Sequence, residues 1–519
     1  MSEKLQTLPI GTYHFEKLRR MNCLYVDKSA RLMELVEAGA WYFLSRPRRF
    51  GKSLMLSTFD AMFQGKAELF KGLAAEGWVA EQARRPAPVL RLDMSTMDTR
   101  GVSEFETSLI RELTRRAENA GVQIKSVLSG GVFQDMLTGL YDQGGPVVVL
   151  IDEYDKPILD KIGDLEAAEA MREALRGFYT VLKGCDEYLR FVMLTGISKF
   201  TKTGVFSAMN NLRDISMVEE FGDVVGYTQE ELEADFAGWI GAAAEKMNVT
   251  REMLLQRMKD YYDGFCFDGV TRLYNPFSIL NFLADRKFKN YWYHSGSPTF
   301  ILSYLRSHGI DDPEVYRHKS VPADFADSQE IERAKPESFL FQSGYLTIES
   351  AEEQELTLDY PNREVLNAIS RLYLDNVYRV EGFTSLGSNL WRALEDGDID
   401  GAVKLYNTAL AGIPYQDFTQ QNESLYRSLF LMLLRGAGVS AQGEVPTNRG
   451  RSDVLVLFPS RAVVLEFKLA QGAGEIARLR DEGRKQIEEK GYSKPYDGEG
   501  RAVTSAVIVV DAKKHTAGL

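Results

Sequence analysis

At 519 residues the chain can hold two or three domains with substantial cores, and 44% hydrophobic with 26% charged residues is the composition of a soluble globular protein. A net charge of −12 argues against an indiscriminate binder of nucleic acid, and no apolar run approaches the roughly 18–20 residues a membrane span needs. Cys23, Cys185 and Cys266 are odd in number and far apart, which excludes a disulfide framework or a cysteine zinc site.

The opening Met-Ser-Glu-Lys-Leu-Gln has no apolar core of a signal peptide, so the chain is expected in the cytoplasm. His14, His294, His308, His318 and His515 show no ligand-like spacing and read as structural or exposed.

The first informative segment is Trp41–Leu44, an apolar run fit for a buried strand, followed by Ser45-Arg46-Pro47-Arg48-Arg49-Phe50-Gly51-Lys52-Ser53 and a helical stretch over 54–63. Strand, loop, Gly-Lys-Ser, helix is the context of a phosphate-binding loop, because backbone N–H groups at a helix start point at phosphate. Lys52 is expected to reach the terminal phosphates of ATP and Ser53 to ligate Mg2+, with the loop 46–53 as nucleotide contacts. Arg46 stands where the standard pattern has its first glycine; it either restricts the loop or itself contacts phosphate, and the sequence leaves both open. Arg48 and Arg49 point to phosphate or nucleic acid.

Val89–Asp93 reads as a further strand ending in an acid. Pro146–Glu153 is a run of β-branched and leucyl residues, the mark of a strand buried on both faces of a parallel sheet, and it ends in Asp152 and Glu153. Asp152 suits the holding of magnesium and Glu153 the general base that polarises water. Phe191–Thr195 supplies another strand, whose tip offers Thr195, or Ser198 beyond it, as a sensor of the terminal phosphate; a capping hydroxyl is the plainer alternative. Arg213, within 210–214, is a candidate arginine finger.

From Tyr227 the pattern turns helical, opening on the capping-box-like Thr228-Gln229-Glu230-Glu231. The aromatic turns 261–265 and 274–278 read as core packing in a helical lid rather than as base-stacking platforms. Phe339–Ile348 and a hairpin about 351–354 suggest a small winged-helix-like piece, and 366–411 a helical connector.

The last segment holds an amphipathic helix over 422–436, a strand at Gln442–Thr447, a hairpin over 451–468, a charged helix about 474–490 and a strand at 505–511. A hairpin turn centred on Pro459-Ser460 sets Asp453 opposite Glu466. Like charges across a strand pair are destabilising unless a divalent cation takes oxygens from both, and Lys468 shares the face of Glu466, where it can steady a developing negative charge. This is hydrolytic chemistry on a phosphodiester. Residues 441–519 carry 13 Lys and Arg against 11 Asp and Glu, so a polyanion is expected to dock there, with Arg449, Arg451, Lys485 and Lys490 as candidate phosphate contacts.

Asp453 and Glu466-Phe467-Lys468, within that order of elements, resemble the PD-(D/E)XK nuclease superfamily. The resemblance implies that Asp453 and Glu466 hold the metal, that Glu423 on the first helix joins them as a ligand and that Gln486 on the second helix assists; Glu444 is a further candidate ligand. Ser452 stands where the family has proline. The motifs Arg46–Ser53, Tyr25-Val26-Asp27-Lys28, Ile151–Pro157 and Leu194–Phe200 together look like the predicted AAA-ATPase-like family, whose members carry a C-terminal PD-(D/E)XK domain.

The expected organisation is α/β: an AAA-like P-loop ATPase over 1–226, a helical lid and winged-helix-like region over 227–365, the connector over 366–411 and the nuclease-like domain over 412–519. The expected function is ATP binding and hydrolysis controlling a Mg2+-dependent nuclease, Mn2+ also serving at that site, acting on DNA in defence or mobile-element biology, with self-assembly as a homo-oligomer compatible and no membrane partner. The alternative is a nucleotide-switched interaction protein with a non-catalytic docking domain.

Overall fold

Short runs rich in β-branched, leucyl and aromatic residues build a parallel sheet, and in the computed structural model four of them pair side by side with a two-residue fifth strand at the edge. The structure describes residues 5–199, 205, 211–294, 301, 305, 312–326, 335–418, 421–447, 449–496 and 500–519; Phe200, Asn210 and His308 lie outside them. The chain divides into two units, residues 1–301 with 318–362 and residues 302–317 with 363–519.

In the first unit the strands β1 (Trp41–Ser45), β2 (Val89–Asp93), β3 (Val147–Asp152), β4 (Leu189–Gly196) and β5 (Arg213–Asp214) form one sheet of order β2-β3-β4-β1-β5, every pairing parallel. Every residue of β1 and β3 is buried, as the continuous apolar runs require. Helices 102–120, 129–144 and 165–184 connect the strands, and Phe105, Leu109, Phe133, Leu137 and Phe178 join Phe43, Val149 and Leu194 in one core. The order sets β4 between the loop-bearing β1 and the acid-bearing β3. The functional ends of three neighbouring strands therefore meet at the same edge.

α1 (Lys52–Phe63) follows β1, and beyond the sheet helices 229–235, 237–247 and 251–262 and α2 (Pro276–Asp285) share a second core. Thr228 and Glu231 form the capping box that the sequence suggests. Asn275 caps α2, accepting from the N–H groups of Phe277 and Ser278, with Pro276 in the first turn. Tyr262 and Tyr274 are fully buried, and Tyr262 packs on Phe282 and Phe288, so these aromatic turns are core. Helix 336–342 precedes β7 (Thr347–Ala351) and β8 (Glu355–Asp359), which join β6 (Lys319–Pro322) in an antiparallel sheet of order β6-β8-β7.

The second unit holds helices 363–376, 383–396 and 399–411, most of the expected connector, packed with α3 (Glu423–Gly436). Asn422 caps α3 through its side chain. The mixed sheet has order β13-β12-β11-β10-β9, built from β9 (Gln442–Thr447), β10 (Gly450–Leu457), β11 (Arg461–Ala470), β12 (Ala502–Asp511) and β13 (Thr516–Gly518). β11 and β12 run parallel and the other pairs antiparallel. A parallel pair needs a crossover, which α4 (Ile476–Lys490) supplies: its Ile487 packs with Leu455, Val464, Val507 and Val509. Phe430 of α3 meets Phe467 edge-on at 5.5 Å.

Candidate functional site

Two groups of side chains carry chemistry, one in each unit. In the first, Gly51 adopts φ 98° directly before α1, a left-handed conformation that L side chains rarely adopt. It turns the chain so that Lys52 and Ser53 open the helix. Lys52 is buried, and its Nζ donates to the carbonyl oxygens of Arg46 (2.7 Å) and Pro47 (2.9 Å). Burial lowers its pKa, against the pull of Glu153, Asp152 and Asp155.

On β3, Asp152 Oδ1 accepts from the hydroxyl of Thr195 at 2.7 Å and from the N–H of Glu153 at 3.1 Å. Glu153 sits at φ 48°, a strained setting for a non-glycine residue that costs of order 1–3 kcal/mol and is typical of active sites. Burial raises its pKa, which suits proton uptake. A cavity of about 420 Å³ is lined by Arg48, Arg49, Gly51–Leu54, Asp93 and Glu153, with Pro9–Tyr13, Phe277 and Leu280 among its other walls. Its volume suits a nucleotide-sized ligand.

Three side chains of this loop, those of Arg46, Pro47 and Phe50, do not line the cavity. Arg46 does not reach the cavity: its guanidinium is buried, donates to the carbonyls of Ser45 (3.0 Å) and Ser216 (2.6 Å) and lies 4.4 Å from the Phe267 ring centroid. These bonds tie the guanidinium to the loop's own backbone and to Ser216, and burial brings its pKa down to about 10. Phe50 is core, edge-on to Phe265 and Phe267, and the Pro47 ring packs against Gly344, so neither side chain faces the cavity. Ser198 is taken by Asp155, whose Oδ2 accepts from the Ser198 hydroxyl and from the N–H groups of Ile197 and Ser198, leaving Thr195 as the polar group at the strand tip. Arg213 is half exposed, 3.4 Å from Glu220 and over the Phe221 ring. Asp155 escaped the sequence reading; its signal is a third acid three residues after Asp152.

In the second unit the turn falls at Pro459-Ser460, closed by the Phe458 N–H to Arg461 carbonyl bond of 2.7 Å. The pairing runs from Leu457 with Ala462 to Val454 with Leu465, and its continuation sets Asp453 against Glu466. Asp453 Oδ2 accepts from the N–H of Phe467 at 2.7 Å. Glu466 is 1% exposed; its Oε1 accepts from Lys468 Nζ at 2.7 Å, while Oε2 is buried without a hydrogen-bond partner. Burial, followed by the neighbouring Asp453 charge, pushes the Glu466 carboxyl up to about 7. Glu423 comes within 4.0 Å of Lys468 Nζ, and burial raises its pKa as well. Burial works against the Lys468 charge, yet the Glu466 bond and the surrounding acids leave its pKa raised.

Gln486 donates its amide to the Tyr492 hydroxyl at 3.2 Å. Glu444 is paired with Arg427 (2.6 Å) and Arg451 (3.3 Å). Arg427, which the sequence reading missed, also reaches Asp453 Oδ1 at 3.1 Å; its signal is the spacing of four from Glu423, one turn along the same helix face. Arg449, Lys485 and Lys490 are exposed, as is Arg451. Among the described residues, the acids and histidines whose ligand atoms all fall within 4.8 Å of one another are His318, Glu349 and Asp359. Glu423, Asp453 and Glu466 are close but not drawn in that far.

The buried bare oxygen of Glu466 fits a divalent cation, because an ionised carboxylate without a partner in that setting is costly. In the first unit the fit rests on the donor set: a Lys and a Ser opening a helix, facing an acid fixed by Thr195.

A family model described as "Predicted AAA-ATPase" matches residues 9–206, and one described as "PD-(D/E)XK nuclease superfamily" matches 421–518. The "Uncharacterized protein in vnfD 5′ region" of Azotobacter chroococcum mcd 1 is 33% identical over 511 residues, covering 96% of this chain and 95% of its own length. A solved structure of the Aeropyrum pernix ORC1 protein in complex with DNA is 10% identical, covering 66% of this chain and 92% of that one at a TM-score of 0.25, a likeness too slight to argue from. Among the described residues no helix is long and apolar enough to cross a membrane.

Proposed function

This chain belongs to the predicted AAA-ATPase-like family with a C-terminal PD-(D/E)XK nuclease superfamily domain, and from that premise we propose that it binds and hydrolyses ATP and uses its nucleotide state to control metal-dependent cleavage of DNA. The observation that carries the hydrolytic half is the Glu466 carboxylate, with one oxygen held by Lys468 and the other buried and bare.

At the nucleotide site, Lys52 exchanges its bonds to the loop's own carbonyls for the terminal phosphates, and Ser53 and Asp152 are the residues that would hold magnesium. The ion supplies charge neutralisation on the phosphates when bound. Thr195 fixes the rotamer of Asp152. Glu153, held beside it on a strained backbone, takes the proton of the attacking water. Ile10, Tyr13, Phe277 and Leu280 offer apolar surface for the base.

At the second site Asp453 and Glu466 are the residues that would hold the cation, with Glu423 nearby; a bound divalent cation polarises the phosphodiester and its attacking water. Lys468 orients that water or steadies the charge that develops on the phosphoryl oxygens. DNA is preferred to RNA by analogy with the superfamily, and a role in defence or mobile-element biology follows the same analogy.

The test is incubation of the full chain with plasmid DNA in Mg2+ or Mn2+, with and without ATP, for wild type and Lys52→Ala. Cleavage that needs metal and changes with ATP only when Lys52 is present supports the coupled reading. Cleavage indifferent to both ATP and Lys52 removes the coupling, and no cleavage in either metal removes the nuclease.

A further inference from the structure

The Asp453 oxygen that a cation would need is already occupied. Arg427 Nη1 donates to Asp453 Oδ1 at 3.1 Å, and its Nη2 donates to Glu444 Oε1 at 2.6 Å. The other Asp453 oxygen is committed to the N–H of Phe467. The guanidinium is largely buried, with 11% of the side chain exposed, and its planar fork spans acids on two adjacent strands.

The local charge balance gives this contact a meaning. Glu423, Glu444, Asp453 and Glu466 bring four carboxylates, against the three cations Arg427, Arg451 and Lys468, of which Arg451 is largely exposed and reaches Glu444 alone. When all four acids are ionised the group keeps a net negative charge, which favours entry of a cation. Arg427 cannot shed its proton, so it can make room only by moving. Glu444, on the neighbouring strand and 47% exposed, offers the anchor on which it can do so.

We propose that Arg427 is a positioning residue that competes with the metal: it holds Asp453 Oδ1 in the metal-free protein and hands that oxygen to the entering cation while staying bonded to Glu444. The proposal rests on the metal-site reading above. It makes the site one that resists loading at low cation concentration and fills by exchange of a guanidinium for a metal.

The test is Mn2+ titration of the full chain, read by calorimetry and by the electron paramagnetic resonance signal of free Mn2+, for wild type, Arg427→Gln and Arg427→Lys. Removing a competing charge about 3 Å from the ligand oxygen is expected to tighten Mn2+ binding by about tenfold or more in R427Q, while R427K stays near wild type. Thermal melts without metal and with saturating Mn2+ accompany the titration, and R427Q is expected to melt lower than wild type without metal and to regain stability when loaded. Equal or weaker Mn2+ binding by R427Q, with wild type binding normally, overturns the exchange and leaves Arg427 a strut for Asp453. Binding by neither protein overturns the exchange together with the metal site it rests on.

Discussion

The hydroxyl of Thr195 donates to Asp152 Oδ1 at 2.7 Å, tying the tips of two neighbouring parallel strands across the edge of the sheet where the phosphate-binding loop also ends. The contact follows from the order β3-β4-β1, which sets the tip of β4 between the acid of β3 and the loop that follows β1.

Thr195→Val keeps the shape and deletes that bond. A hydrogen bond to a charged group contributes about 1.5–3 kcal/mol, so ATP turnover is expected to fall roughly tenfold or more, with nucleotide affinity changed less than about threefold. Steady-state phosphate release and a fluorescent-nucleotide titration separate the two, and a matched loss in both would make Thr195 a binding residue instead.

Restoring glycine at position 46 should harm the protein. The Arg46 guanidinium satisfies buried carbonyls of Ser45 and Ser216 and stacks on Phe267, so Arg46→Gly leaves unpaired acceptors and a void worth about 2–4 kcal/mol. Urea unfolding of the first transition is expected to shift accordingly. A stable R46G protein with tighter ATP binding would show that the arginine is a decayed glycine after all.

Metal binding should depend on pH through Glu466. Its folded pKa, about 7, lies above the ordinary 4.5, so this group favours the metal-free fold below about 4.5 and that contribution is lost as pH rises through 7. A cation needs the ionised form, so Mn2+ affinity is expected to climb by up to about tenfold per pH unit below 7 and to level off above it. The Mn2+-induced rise in melting temperature should be larger at pH 8 than at pH 6, and Glu466→Gln should abolish the difference. A flat profile in wild type would mean that Glu466 is not a ligand.

Local chemistry was legible in the sequence and long-range chemistry was not. A two-residue loop at Pro459-Ser460 fixes the register of its own hairpin, so the facing of Asp453 and Glu466 could be read from spacing, and buried runs such as Val147–Asp152 announced parallel strands that end in acids. Arg46 could not be read, because its partner carbonyl belongs to Ser216, 170 residues on. The Gln486 bond to Tyr492, six residues later, was likewise outside what the motif spacing offers. Arg427 could not be read, because its partners Glu444 and Asp453 come from β9 and β10, 17 and 26 residues on.

The most direct measurement is the rate of Mg2+- or Mn2+-dependent phosphodiester cleavage by the full chain and by Lys468→Ala and Glu466→Gln. General catalysis by positioned side chains contributes about 10²–10⁴-fold, so both substitutions are expected to slow cleavage at least about a hundredfold while the folded melting transition persists. Cleavage that continues at the wild-type rate in either variant would contradict the assignment of hydrolysis to the Glu466–Lys468 pair.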